Sequence, residues 1–466
     1  MLFPMRLDEL IEPEHMVRVI DGWVSQLDMI RLAFAKAEVA KTGRPPYDPA
    51  DLLKLYLYGY LSQVRSSRRL ERECKRNIEV MWLLKRLAPD FKTIAEFRRI
   101  NTASLVAVCA GFVQFARAQR LIVGEVVAID GTKIRAVASK RAVVRAVQLR
   151  EEEAQLAQSI TQYMQQMDEI DQIEVANEAD RSSLRQTLST LRERHGHIQE
   201  QVQQLLDHGQ THLVSTEPDA RLLKSGQGQA MAGYNLQSAV DSEHGLIVHH
   251  AVCQDGNDIH QLLPMAVQAK AVLEQDHLTI VADGGYSNGS QLAECEVNGI
   301  TPYVPVKRSV NNQSAGSLYG KGDFHFDEAR DCYICPAGEV LKRKQVQNTD
   351  RLVIYAARDA MTCVRCAHRP GCTEGSQRFI SRHLDEAVLE RVQRRTAERP
   401  DMMRLRRATV EHPFGTLKER ILGNGRLLMR GINGARSELS LAVLAYNFKR
   451  VTNILGTSLM LQAVRG

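Results

Sequence analysis

The sequence predicts a mixed α/β core preceded by an all-helical N-terminal region. Three observations carry that expectation. Helix-start signals and wide apolar helical faces fill the first 120 residues. Two short, unbroken apolar runs rich in β-branched residues, Val126 to Ile129 and Leu278 to Ala282, read as buried strands. Between them, Tyr234 to Val240 and Gly245 to Val252 flank the polar stretch Asp241, Ser242, Glu243 and His244, the pattern of a strand hairpin.

With 466 residues, 44% of them hydrophobic, the chain is long enough for two or three domains with a substantial core. Lys and Arg total 61 against 55 acidic residues, a net charge of +6. That balance excludes a strongly acidic protein and suits a polyanionic partner without demanding one. The opening ten residues include Asp8 and Glu9 and lack a signal-peptide core. No stretch reaches the roughly 18 apolar residues of a membrane span, so a cytoplasmic, nucleoid-associated protein with no membrane partner is expected. Five of the nine cysteines crowd between Cys332 and Cys372, which points to a metal rather than to a disulfide framework.

Residues 1–120 read as a helical DNA-binding domain. Asp48 before Pro49 is a helix start, and Leu52, Leu53, Leu55, Tyr56, Leu57 and Tyr60 give that helix its apolar face. Ser66 or Ser67 caps the next helix, which carries Arg68, Arg69, Arg72, Lys75 and Arg76. Thr93 with Glu96 has capping-box spacing and opens a third. Short consecutive helices with cations gathered on one of them suit a helix-turn-helix type reader of DNA, because phosphates must be neutralised before bases are read. The competing reading is a solvated basic face.

Residues 121–455 read as the core domain, interrupted twice. From 140 to 215 the chain lacks proline through its helical part. Leu156, Ile160, Tyr163 and Met167, then Leu184, Leu188, Leu191, Ile198, Val202 and Leu205, recur at helical spacing on either side of a polar break, as in a long helical hairpin. From 323 to 380 lies a small Cys-rich insertion. Cys332-x2-Cys335 and Cys363-x2-Cys366, followed by Cys372, form a zinc-ribbon-like pattern, since tetrahedral Zn²⁺ takes four thiolates from two turns. Five cysteines and His368 leave the ligand set open.

The chemistry-bearing residues sit at the ends of the apolar runs. Asp130 precedes Gly131, and Asp283 precedes Gly284 and Gly285. A carboxylate just past a buried strand is costly unless it is solvated, hydrogen-bonded or bound to a cation, and two at equivalent strand ends point to one shared site. Taken singly, each Asp-Gly is an ordinary turn. Near the C-terminus, Arg407, Glu411 and Lys418 fall within about 40° of one another on an ideal helix. Pro413 is expected to kink that helix just after Glu411. Asp258 reads as a capped helix start, Asp241 as a turn former, and His249 and His250 as strand residues.

Together the strand-end Asp130, the Asp283-Gly-Gly-Tyr286 motif and the Arg407-x3-Glu411-x6-Lys418 helix resemble the DDE transposases of bacterial insertion sequences, over residues 125 to 455. The resemblance implies an RNase H-like catalytic core with Asp130, Asp283 and Glu411 as the catalytic carboxylates. They would hold two Mg²⁺ ions, with Mn²⁺ as a substitute, for strand cleavage and transfer at element ends. It also implies phosphate-binding roles for Arg407 and Lys418, double-stranded terminal-repeat and target DNA as partner, and assembly of several copies on that DNA. Some branches of the family carry a tyrosine where this chain has Arg404. Cys335, Cys363, Cys366 and Cys372 are similar to the cysteine pattern of related transposases, leaving Cys332 as the alternative ligand. An RNase H-like nuclease that does not rejoin strands, or a catalytically silent DNA-binding protein, are the competing functions.

Overall fold

The structure, a computed structural model, describes residues 6–38, 45–171, 178–207, 209–224, 228–306, 318–349 and 351–465. Its N-terminal part is helical: α1 (Met16–Ser25), α2 (Pro49–Leu61), α3 (Ser67–Arg76), α4 (Ile78–Leu83), α5 (Phe91–Ile100) and α6 (Thr102–Ala118). Asp48 caps α2 through its carboxylate on the Ala50 amide, with Pro49 in the first turn, as its sequence requires. The start of α5 differs from expectation. Asp90, not Thr93, is the cap: its carboxylate accepts from the Lys92 and Thr93 amides and the Thr93 hydroxyl, and Glu96 instead pairs with Lys36. A carboxylate placed three residues earlier satisfies the free amides first, so Thr93 is drawn into the helix.

The central sheet contains β1 (Val126–Arg135), followed after the short pair β2 (Val143–Arg145) and β3 (His212–Val214) by β4 (Arg221–Lys224), β5 (Ala230–Asp241), β6 (Ile247–Cys253), β7 (Leu278–Val281) and β8 (Ile300–Tyr303). Its order is β4-β5-β1-β7-β8, with β6 also on β5. β5 runs antiparallel to β1 and β6, whereas β7 and β8 run parallel to β1. Three antiparallel strands continued by two parallel ones is the RNase H-like arrangement. α9 (Leu262–Val272) and α10 (Gly289–Val297) make the crossovers that parallel pairing demands.

Two insertions leave this core. α7 (Ala146–Asp171) and α8 (Glu178–Asp207) form the expected hairpin, packed through Leu149, Leu156, Ile198, Leu205 and Leu213 and braced by the Arg194–Glu152 pair. The Cys-rich part is a five-stranded antiparallel sheet, β9 (His325–Asp327), β10 (Cys332–Ile334), β11 (Val340–Gln347), β12 (Leu352–Ala356) and β13 (Phe379–His383), with α11 (Ala360–Val364). Phe324, Tyr333, Leu341, Val353, Tyr355 and Ile380 give it a core of its own.

α12 (Glu386–Glu398), α13 (Pro400–Gly415) and α14 (Gly431–Ala463) complete the chain. α14 lies against α6, α2 and β6, and the Trp23, Phe112 and Phe448 rings meet edge-on or tilted, with centroids 5.0 to 5.8 Å apart. The N-terminal helices and the sheet therefore share one apolar core. A buried ion pair ties them further: Glu438, with no exposed surface, takes Arg65 at 2.7 Å and the amides of Leu428 and Met429. Among the described residues no single helix is long and apolar enough to cross a membrane.

Candidate active site

Strand register brings the two aspartates together. β1 and β7 pair in parallel up to Ala128 opposite Val281, so Asp130 and Asp283 each lie two residues beyond the same pair and, by the two-residue alternation of strands, on its face. Asp130 is not at a strand end, contrary to the sequence reading. β1 continues to Arg135 because its other edge remains paired with β5, where Ser238 stands opposite Asp130. Only β7 stops, and that opens the space beside Asp130.

Both carboxylates are oriented by the glycines that follow them. The Gly131 amide donates to Asp130 Oδ1 at 2.8 Å, and the Gly285 amide to Asp283 Oδ1 at 2.7 Å. α13 covers this face, seating Met402 and Val410 on Ala128 and Val281. From the same helix Arg406 reaches between the aspartates, with Nη2 2.8 Å from Asp130 Oδ2 and 3.6 Å from Asp283 Oδ2. Burial pushes the Asp130 carboxyl up to about 6, against the opposing pull of Arg406 and the Gly131 amide. Lys418 is half-buried nearby; burial lowers its pKa while Asp130 raises it.

Residues 123–448 match the family described as Transposase DDE domain, and residues 5–99 match the family described as Transposase domain (DUF772). The chain belongs to the DDE transposase family. No curated protein matches the transposase chain. Among solved structures it is similar to a piggyBac transposase, determined by cryo-EM as a synaptic complex with hairpin DNA, at 7% identity and a TM-score of 0.31, over 98% of this chain and 78% of that one.

The third carboxylate expected in this transposase is placed differently. Glu411 lies five positions after Arg406, which on a regular helix turns the side chains about 140° apart. With Arg406 facing the aspartates, Glu411 is exposed, and so is Arg407, which lines a groove with Pro305, Val306, Met403 and Arg404. Among the described residues no group of three or more His, Cys, Asp or Glu is arranged to hold a metal ion. Asp130 and Asp283 fit a hard cation by donor type and register, and Arg406 supplies the positive charge between them. α13 runs through Pro413 to Gly415 and passes directly into a π-helical stretch, Thr416–Ile421. That widened turn changes the helical phase, so Lys418 no longer follows the face of Arg407 and Glu411.

Behind the aspartates lies a polar cluster that the sequence reading missed. Asp258 does not cap a helix: α9 starts after Gln261, and Asp258 Oδ1 accepts from Asn235 at 2.7 Å and Gln237 at 2.6 Å, with Lys133 at 3.5 Å. The signal was present in β5, where the polar Asn235 and Gln237 lie in a strand that is buried from Ala232 onward. Asp241 is the turn former expected of it, taking the Gly124 and Glu243 amides.

Cys335, Cys363, Cys366 and Cys372 line one cavity of about 30 Å³ together with Tyr319 and His368, whereas Cys332 is buried in β10 and is not among the residues lining it. The Cys372 thiol is raised chiefly by burial, and the other three thiols are near enough to act on it. On α3, Arg69 and Arg72 are exposed. Lys75 is engaged by Glu71 and Arg76 by Glu73, and Arg68 lies over the Phe91 ring at 5.1 Å.

Proposed function

We propose that this chain cuts DNA strands at the ends of an insertion sequence and joins them to target DNA, with Asp130 and Asp283 as metal ligands and Glu411, assigned from the family resemblance and turned away from them here, as the third carboxylate. The observation that carries this reading is the parallel register of β1 and β7, which sets two oriented aspartates side by side with a cation drawn between them. When bound, Mg²⁺ or Mn²⁺ held by these carboxylates would activate the attacking water or 3′-hydroxyl and stabilise the leaving oxygen.

The chain's own groups supply the rest. The Gly131 and Gly285 amides hold one oxygen of each aspartate, and Arg406 faces the other, where a metal ion would take its place. Negative charge grows on the nonbridging phosphate oxygens during attack, and Arg406 and Lys418 are cations beside the point where it grows. Arg404 and Arg407 in the adjoining groove, and Arg69 and Arg72 on α3, suit a duplex backbone. We assign DNA binding to residues 1–120 and catalysis to residues 121–455, in a protein that acts in the cytoplasm as several copies on DNA. A structural zinc on Cys335, Cys363, Cys366 and Cys372, which line one cavity but among the described residues are not drawn together as a ligand group, is part of the same reading.

The test is cleavage and joining of labelled element-end DNA in Mg²⁺ with a target plasmid. Asp130→Asn, Asp283→Asn and Glu411→Gln should each abolish cutting while leaving DNA binding in place. Cut product without joined product supports the nuclease reading, and binding alone the silent binder. A variant that still cuts removes its residue from the site.

A further inference from the structure

Asp130 sits within β1 and Asp283 in the turn after β7, and something must hold the two at one spacing. One side chain touches the supports of both. Gln237 on β5 stands opposite Gly131 in the β1–β5 ladder and has no exposed surface. Its Oε1 accepts from the Tyr286 hydroxyl at 2.5 Å, and its Nε2 donates to Asp258 at 2.6 Å. Tyr286, also fully buried, closes the Asp283-Gly-Gly-Tyr turn whose Gly285 amide orients Asp283. On the other side, Nε2 presses on Gly131: a Cβ added there would stand 2.3 Å from it, 2.8 Å from Asp258 Oδ1 and 3.1 Å from Asn235 Oδ1.

We propose that Gln237 is a positioning residue for strand cutting: its carboxamide, anchored by Asp258, sets the separation of Asp130 and Asp283 by holding the glycine after the one and the tyrosine after the other. This rests on the function proposed above. The geometry explains three residue choices at once. Position 131 has to be glycine because the carboxamide occupies the space of a side chain. Position 286 needs a hydroxyl as well as a ring. Asp258 must accept, because Asn235 and Gln237 both aim amide N–H groups at one of its oxygens. Among the described residues the Asn235 carbonyl oxygen and the Lys133 ammonium nitrogen are buried without a hydrogen-bond partner, and Lys133 faces Asp258 at 3.5 Å. Side chains locked by packing and by partners behind them are what keep reacting groups within a fraction of an ångström.

The experiment uses the full chain with Tyr286→Phe, which keeps the ring, Gln237→Glu, which keeps the shape but sets a second carboxylate against Asp258, and Asp258→Asn. Three quantities are measured: single-turnover cutting per folded molecule across a Mn²⁺ titration, Mn²⁺ binding by electron paramagnetic resonance without DNA, and affinity for element-end DNA. Tyr286→Phe and Gln237→Glu should each slow cutting by about ten- to a hundredfold, as expected when reacting groups drift by about 1 Å. Both should also weaken Mn²⁺ binding severalfold with DNA affinity unchanged. Tyr286→Phe combined with Asp258→Asn should lose less than the two singly, because both act through Gln237. Should Gln237→Glu not fold, Tyr286→Phe decides. A Tyr286→Phe protein that binds Mn²⁺ and cuts like the wild type overturns the proposal, whatever its melting temperature. Cutting by Asp130→Asn would instead remove the functional reading itself.

Discussion

Gly131→Ala puts the packing behind the aspartates to a quantitative test. The new methyl would lie 2.3 Å from Gln237 Nε2, where ordinary contact begins at 3.4 Å, so the carboxamide has to retreat by about 1 Å. Its two hydrogen bonds, now 2.5 and 2.6 Å, then stretch past the length at which a hydrogen bond persists. Each buried group left unpaired costs about 1 to 3 kcal/mol, and the loss of backbone freedom in the unfolded chain returns at most about 1 kcal/mol. For two such groups a net destabilisation of about 1 to 6 kcal/mol follows, read as a lower urea midpoint in metal-free buffer. Gly111→Ala on α6 is the control. Among the described residues nothing beyond its own helix backbone and chain neighbours lies within 4 Å of its added methyl, and helix propensity should stabilise that variant by about 0.5 to 1 kcal/mol. If Gly131→Ala melts and cuts like the wild type, the close approach of Gln237 is not a constraint and the account of position 131 is wrong.

Three further outcomes are expected. Arg406→Ala removes the cation lodged between Asp130 and Asp283 and should tighten Mn²⁺ binding in the absence of DNA; unchanged or weaker binding would mean the guanidinium does not compete for that position. Arg69→Ala with Arg72→Ala should flatten the slope of log DNA affinity against log salt by about 0.9 for each phosphate no longer neutralised, and an unaltered slope moves DNA recognition off α3. Burial depresses the imidazoles of His249 to about 4 and His250 to about 3. The unfolded chain then binds more protons below pH 6.5, so stability present above that pH is lost on acidification, by up to about 1.4 kcal/mol per pH unit for each imidazole. His250→Gln should reduce that slope in urea titrations between pH 7 and 5. An identical slope would show that the buried histidine is not its source.

Local chemistry was readable in the sequence wherever neighbours along the chain decide the outcome. The Asp48-Pro49 helix start, the β5–β6 hairpin and the helical hairpin of α7 and α8 depend on caps, turns and periodicity within a few residues of one another. The two aspartates stood out for the same reason, since each follows a short apolar run and precedes glycine. Where Asp90 outcompeted Thr93 for the start of α5, two nearby acceptors contended for the same amides, and spacing alone does not rank them.

What the tertiary structure decided is which of two adjacent arginines faces the aspartates. A helical projection groups Arg407 with Glu411 as angles on a cylinder, loses Lys418 beyond the π-helical turn, and says nothing of how the cylinder is turned. That rotation is set by Met402 and Val410 packing on Ala128 and Val281, contacts between residues more than 100 positions apart, and it presents Arg406 instead. The Gln237–Asp258–Tyr286 cluster was hidden for the same reason. Its members come from β5, the loop before α9 and the turn after β7, and only strand register brings them to Gly131. Angles and caps are local properties of a chain, whereas the rotation of a helix on a sheet and the meeting of buried amides are set by packing between distant segments, so they emerge only once the core has closed.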